Sequence, residues 1–321
     1  MKELLLQALK KALPKGLKTS WWLIRITIPV SFAVLLLDYF GVLNFIAQYT
    51  EPIFSLIGLP GVSAVVFITS IFTNVYSVVA VLTTLNFPVR EGMILATMCL
   101  VSHNFPIESA VLRKTGSSGI RMIIVRIAGS FAVGWILNLL LPGNSTLNFV
   151  SHAGTQPDFL PVLMQWIKGT MSTILKILIL VNALIILQQI LESFRLIKWL
   201  EKPLSPLMKI FGLTENVAFP WLIANLIGLA YGSATMLNLS EEGKMTKNEA
   251  DLLNHHIALS HSQLEDPLLF LALGYTMHWL IWPRIIIALA AVWLRKAELK
   301  YIPASRKART LWVQNQSKSG T

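Results

Sequence analysis

The apolar positions of this chain fall in long uninterrupted runs rather than in the short alternations of a water-facing fold. Residues 21–37, 122–141, 169–192 and 277–294 are the clearest, and each approaches or exceeds the roughly 18–20 residues that cross about 30 Å of hydrocarbon. The polar positions between the runs mark sides of a membrane, because cytoplasmic loops collect Lys and Arg. Five lysines precede Ser20, which places the N-terminus in the cytoplasm ahead of a first span over about residues 19–43. Residues 44–58 and the stretch PGNSTLNFVSHAGTQPDFL at 142–160 hold no Lys or Arg and read as external. Arg113, Lys114 and Arg121, the group Arg195, Lys198, Lys202 and Lys209, and the tail from Arg295 onward read as cytoplasmic. Each half of the chain therefore crosses an odd number of times, in opposite senses. Parity then requires residues 60–86 to dip in and return. Two arms of about 11 residues are too short to span separately, so the reading is a re-entrant hairpin with its tip near Thr73-Asn74.

Composition agrees and removes other classes. Of 321 residues, 54% are hydrophobic and only 13% charged, with mean hydropathy +0.62. Soluble domains run near about a quarter charged, so too few charges remain to coat a soluble globule. Cys99 stands alone, which excludes a disulfide framework and a thiolate metal cluster. The net charge of +11 would suggest nucleic acid in a soluble protein; here it reports topology, and no nucleic-acid partner is expected. The start, MKELLLQALKKALPKGLK, alternates leucines with lysines and has no small-residue cleavage site. It reads as an amphipathic surface helix rather than a signal peptide.

The two halves repeat each other. With a shift of 158, Glu91 meets Glu249, Ser102-His103 meets Ser260-His261, Glu108 meets Asp266, Gly116 meets Gly274, Arg126 meets Arg284, and Trp135 meets Trp293. A shift of 154 pairs Pro52 with Pro206 and Gly58-Leu59 with Gly212-Leu213. Scarce residue types in register mean far more here than apolar matches. The fold class is all-α integral membrane: an inverted-topology repeat with about six spans plus two re-entrant hairpins, the plan of secondary transporters. The expected divisions are a cytoplasmic amphipathic segment 1–18, a first repeat 19–142, an external linker 143–160, an inverted second repeat 161–296 and a basic, disordered cytoplasmic tail 297–321. Residues 195–212 would mirror 44–58 as an interfacial helix. Residues 214–240, interrupted by Gly228, Gly232 and Ser233, would form the second hairpin.

Each half also holds a span interrupted by polar residues: LVSHNFPIESAV at 100–111 and ALSHSQLEDPLL at 258–269. Pro106 removes a donor and clashes with the preceding turn, breaking the first near His103-Asn104, and Pro267 marks the second. Broken helices at matching places are the best pointer to a midplane site. Glu108, Glu265 and Asp266 sit there, where a charge costs at least about 2.5–3.5 kcal/mol. His103 and His261 precede the breaks and can ligate, relay a proton or hydrogen-bond a freed carbonyl. Arg126 and Arg284 lie roughly 12 Å into their spans. They either neutralise Glu108 or Asp266 as structural pairs or present guanidinium groups to an anion. The hairpins add hydroxyls and amides, among them Thr69, Ser70, Thr73, Asn74, Tyr76, Ser77, Asn225 and Ser233, suited to polar ligands at helix ends. No HExxH spacing and no nucleophile–base pair is apparent, so neither a zinc protease nor another intramembrane hydrolase is expected.

IGLPG at 57–61, REGMILATMCLVSHNFPIE at 90–108 and RKTG at 113–116 resemble the Gate, or nucleoside-recognition, family. That family includes the membrane portions of concentrative nucleoside transporters and of the bacterial ferrous-iron transporter B, and the spore maturation proteins A and B. The resemblance covers most of 20–140 and, more weakly, 165–295. It implies a binding site at the hairpin tips and broken helices, here Asn74, His103, Asn104 and Glu108, with Ser260, His261, Glu265 and Asp266 opposite; Thr73, Ser233 and Gln263 join them as substrate-binding candidates by their place at the same hairpins and breaks. The chain departs from its relatives in lacking a GxxxxGK[ST] loop and the acidic NEF-type signature of nucleoside transporters.

The expected function is a secondary transporter that moves a small polar or anionic organic solute across the cytoplasmic (inner) membrane by alternating access. Both termini would be cytoplasmic, no cofactor is implied, and a proton or sodium ion would couple through Glu108, Asp266 or the histidines. Partners are the solute, the lipid bilayer and, where the chain self-associates, a second copy. Two rivals stay open: a divalent-metal permease using the histidines and carboxylates, and a non-transporting membrane scaffold or assembly protein.

Overall fold

A computed structural model describes residues 2–143, 158–194, 196–271 and 273–301. The tail after Tyr301, most of the 143–160 linker and Arg195 lie outside the described residues. Every regular element among them is helical. In chain order these are α1 (Lys2–Tyr39), α2 (Val42–Phe54), α3 (Ser63–Phe72), α4 (Val75–Leu85), α5 (Val89–Ser102), α6 (Phe105–Lys114) and α7 (Gly119–Leu140). The second half repeats that order with α8 (Phe159–Ser193), α9 (Leu196–Ile210), α10 (Ala218–Leu226), α11 (Leu229–Glu241), α12 (Lys247–Ser260), α13 (Glu265–Leu271) and α14 (Met277–Tyr301).

The apolar runs explain which helices cross. Leu6–Tyr39, Gly119–Leu140, Phe159–Leu191 and Met277–Tyr301 are each long and apolar enough, and α5 with α6 passes the same test as a pair bent by 41° at its break, either a broken span or a re-entrant loop. α12 and α13 stand at the equivalent place in the second half. The lipid-facing character of the long helices survives folding: Ile124, Trp135, Leu139, Met171, Leu175, Ile179, Trp282 and Ile286 are exposed, whereas Arg126 and Arg284 are fully buried. With hydrocarbon outside, apolar surface costs nothing there, and polar groups gather inside, where most find a partner.

Inversion is visible in the contacts between equivalent helices. Along α1, Ser20 meets Asn182, Ser31 meets Trp166 and Tyr39 meets Phe159. Numbers rise on α1 as they fall on α8, so the two first helices run antiparallel. α7 and α14 do the same, with Arg121 against Glu298 and Gly129 close to Ile287. The antiparallel pairing of α1 with α8 and of α7 with α14 turns one repeat over relative to the other.

The expected interruptions fall where breakers demand them. Between α3 and α4 the chain turns at Thr73, in extended conformation, and Asn74, whose side chain caps α4 by accepting from the Ser77 N–H at 3.1 Å. The second hairpin turns at Ile227-Gly228, and Gly228 takes φ 119°, a region that disfavours any Cβ. Gly232 and Ser233, expected among its interruptions, lie inside α11 instead. Gly232 serves packing: a Cβ there would collide with the backbone of Ala224 on α10. One expectation needs revising at the N-terminus. Residues 2–18 continue into the first span as a single helix rather than forming a separate surface segment, because the buried stripe Ala8, Ala12, Ser20, Leu23 runs on without a break.

Candidate functional site

The two broken spans stop at matched residues. Asn104 and Ser262, related by the shift of 158, adopt left-handed conformations with φ 53° and 52°, costly for a serine and uncommon for any side chain but glycine. The Asn104 N–H donates to the carbonyls of Ser70 at 2.8 Å and Thr73 at 2.9 Å, and the Ser262 N–H donates to the carbonyl of Ala224 at 3.0 Å. Each break is thus sewn to the hairpin of its own repeat, which satisfies carbonyls that the hairpin's first arm leaves open.

The arginines hold the other side of the breaks. Arg126 donates through Nε to the Val101 carbonyl at 2.7 Å and through Nη2 to the His103 carbonyl at 2.5 Å. Arg284 repeats the grip, through Nε to Leu259 at 3.2 Å and through Nη2 to His261 at 2.6 Å. These four carbonyls end α5 and α12, where a helix has no N–H of its own to offer and a cation sits favourably. Arg126 adds an ion pair, Nη2 to Glu108 Oε2 at 2.7 Å, and stacks its guanidinium 4.6 Å from the Phe105 ring centroid. The Nη1 atoms of both arginines are buried without a hydrogen-bond partner among the described residues.

Between these grips the repeats meet. His103 Nε2 lies 3.0 Å from Glu108 Oε1 and 3.6 Å from Asp266 Oδ2; His261 Nε2 lies 3.3 Å from the same Glu108 oxygen. The two imidazole rings are tilted at 43° with centroids 5.1 Å apart. All four residues are buried. Glu265 stands beside them, accepting from Tyr76 Oη at 3.3 Å and Gln188 Nε2 at 3.1 Å. The site therefore draws on the broken spans, the first hairpin and the long helix α8.

The remaining expected residues occupy other posts. Thr73 Oγ1 donates back to the Thr69 carbonyl, and Asn74 caps its helix. Ser260 Oγ lies 2.8 Å from His256 Nδ1, a ring that also accepts from Trp221 Nε1, away from the cluster. Ser233 is buried with its hydroxyl unpartnered, and both polar atoms of the Gln263 side chain lack partners among the described residues. Sequence reasoning did not find Gln188. Its only signal was an amide pair, Gln188-Gln189, near the end of an otherwise apolar span. A cavity of about 200 Å³ opens between α1, α4 and α8, lined by Thr27, Ser31, Asp38, Thr84, Gln165 and Trp166. It shares α4 and α8 with the Tyr76–Glu265–Gln188 contact.

Long apolar helices that run antiparallel to their counterparts and enclose a buried charged cluster define a polytopic α-helical membrane protein of inverted-repeat plan. Residues 20–131 match the family model described as Gate, nucleoside recognition, which bears out the resemblance read from this part of the chain. The uncharacterized membrane protein YvoD of Bacillus subtilis (strain 168) is similar, with 28% identity over 279 residues, or 86% of this chain and 88% of that one. No solved structure matches significantly.

Proposed function

We propose that the protein is a secondary transporter that moves a small polar or anionic organic solute across the cytoplasmic membrane by alternating access, with both termini in the cytoplasm. The observation that carries this reading is the meeting of two inverted broken spans in one buried cluster of His103, His261, Glu108, Asp266, Arg126 and Arg284. Ionisable groups inside a membrane protein are expensive, and their default reading is a solute or ion path. Unpartnered donors on both arginines and the free carboxamide of Gln263 supply hydrogen-bonding capacity that a polar or anionic solute would use. In this reading one repeat rocks against the other around the cluster, and the polar cavity between α1, α4 and α8 belongs to the external approach. A proton taken up at Glu108, Asp266 or the histidines, or a sodium ion, supplies the drive.

A thermal-shift screen of purified protein against small organic acids, amides and nucleosides tests it, since a ligand stabilises the state it binds. A stabilising solute should then enter proteoliposomes under an imposed proton or sodium gradient, and Glu108→Gln and Asp266→Asn should abolish that uptake. Uptake indifferent to both substitutions, or their loss of a co-purified protein partner with no solute moved by the parent, would favour the scaffold reading.

A further inference from the structure

We infer that His103, His261 and Glu108 form a three-ligand site for one first-row divalent cation of zinc type, with its fourth position open beside Asp266. Each imidazole proton is placed by the carbonyl beside it. His103 Nδ1 lies 3.2 Å from the Leu100 carbonyl and His261 Nδ1 lies 2.8 Å from the Ile257 carbonyl. A carbonyl only accepts, so in each neutral ring Nδ1 carries the proton and Nε2 keeps its lone pair. That is also the arrangement of ligating histidines, whose second nitrogen donates to a carbonyl or carboxylate. Both lone pairs face Glu108 Oε1, another acceptor, at 3.0 and 3.3 Å. Three acceptors face one another with no donor between them, an arrangement that a proton or a cation at their centre relieves.

One proton satisfies only one of the two histidine–glutamate contacts. Protonating both rings would set two imidazolium charges beside the Arg126 guanidinium. A single divalent ion satisfies all three atoms at once. The two histidine–glutamate separations fit: four-coordinate bonds of about 2.0–2.1 Å place ligand atoms about 3.3–3.4 Å apart, against 3.0 and 3.3 Å here. Arg126 on the second oxygen of Glu108, and the grips of Arg126 and Arg284 on the two histidine carbonyls, are the outer contacts that fix ligands in place. Two histidines and one carboxylate with an open position suit zinc and its first-row neighbours over calcium or magnesium, which prefer oxygen alone. Asp266 Oδ2, 3.6 Å from His103 Nε2 and without a hydrogen-bond donor, is placed to accept from water or a solute oxygen in that position.

The site stands apart from transport, because a protein that moves nothing would still hold the ion. Full-length protein without an oligohistidine tag, purified in detergent and stripped by chelator, is titrated with Co²⁺ and then Zn²⁺, with no solute or gradient present. The expected result is one Co²⁺ per chain with the intense visible absorption of a four-coordinate ion, displaced by Zn²⁺. His103→Ala and His261→Ala should each weaken Zn²⁺ binding by more than about tenfold, while His256→Ala leaves it unchanged. Where an alanine variant fails to fold, Glu108→Gln, with melting behaviour checked first, should give the same loss. No stoichiometric binding, a weak six-coordinate spectrum, or equal affinity in folded variants of the three ligands would overturn the assignment.

Discussion

Replacing Arg126 by methionine separates the ion pair from the rest of the fold. The side chain is fully buried, so methionine keeps its apolar stem but removes the 2.7 Å contact to Glu108 and the two carbonyl hydrogen bonds. Breaking a buried pair from one side leaves an uncompensated charge and costs about 3–5 kcal/mol. At roughly 2–4 °C per kcal/mol for a chain of this order of size, the apparent melting temperature in detergent should fall on the order of 10 °C. Most of that loss belongs to the stranded carboxylate. Adding Glu108→Gln to Arg126→Met should therefore restore at least about half of the lost stability, by the logic of a double-mutant cycle. Arg284 supplies the control, since it grips the matching carbonyls of Leu259 and His261 but does not hold Glu108 at ion-pair distance. Glu108→Gln should give no such recovery to Arg284→Met. Intrinsic tryptophan fluorescence during a heating ramp at fixed rate reads all five proteins. A double variant no more stable than Arg126→Met alone would refute the pairing argument and leave the carbonyl grip as the whole role of Arg126.

Three further outcomes follow from local geometry. Gly232→Ala should lower the melting temperature by an amount corresponding to about 1–3 kcal/mol, because the new methyl meets the Ala224 backbone across the second hairpin; unchanged melting would show the hairpin arms can part freely. Glu298→Gln removes a partly exposed carboxylate that accepts from Arg121 at 2.6 and 2.7 Å and pairs with Arg295 at 2.9 Å, and should cost at most about 1 kcal/mol, an effect that shrinks as salt is raised. Thr246→Ala removes the capping box formed with Glu249 at the start of α12 and should cost about 1 kcal/mol, with faster amide exchange confined to the first turn of that helix.

What the sequence made legible is what breakers and scarce residues announce. The Thr73-Asn74 tip and the His103-Asn104 break follow from parity, arm length and Pro106, and the structure turns the chain at both places. The equivalence of the halves was readable because Arg126 and Arg284 are rare at such depth, and the structure gives them the same pair of carbonyls, 25 and 23 residues upstream. Other features depend on packing that no spacing encodes. The approach of His261 to Glu108 is set by how two antiparallel repeats dock, not by either segment alone. Gln188 was hidden inside a span whose apolar run gives no sign of which face turns inward. The continuity of α1 was missed because lysines suggested a surface helix, whereas the small residues Ala8 and Ala12 keep one face buried through that region.

The central claim is that inverted repeats bring His103 and His261 into one buried site. The chain has six histidines, so protein labelled only at histidine gives a sparse magic-angle-spinning NMR spectrum in lipid. With ring centroids 5.1 Å apart, a through-space correlation should join the two imidazoles, and it should vanish in both His103→Ala and His261→Ala. Its absence in a sample that still shows the neighbouring His255–His256 correlation would contradict the account.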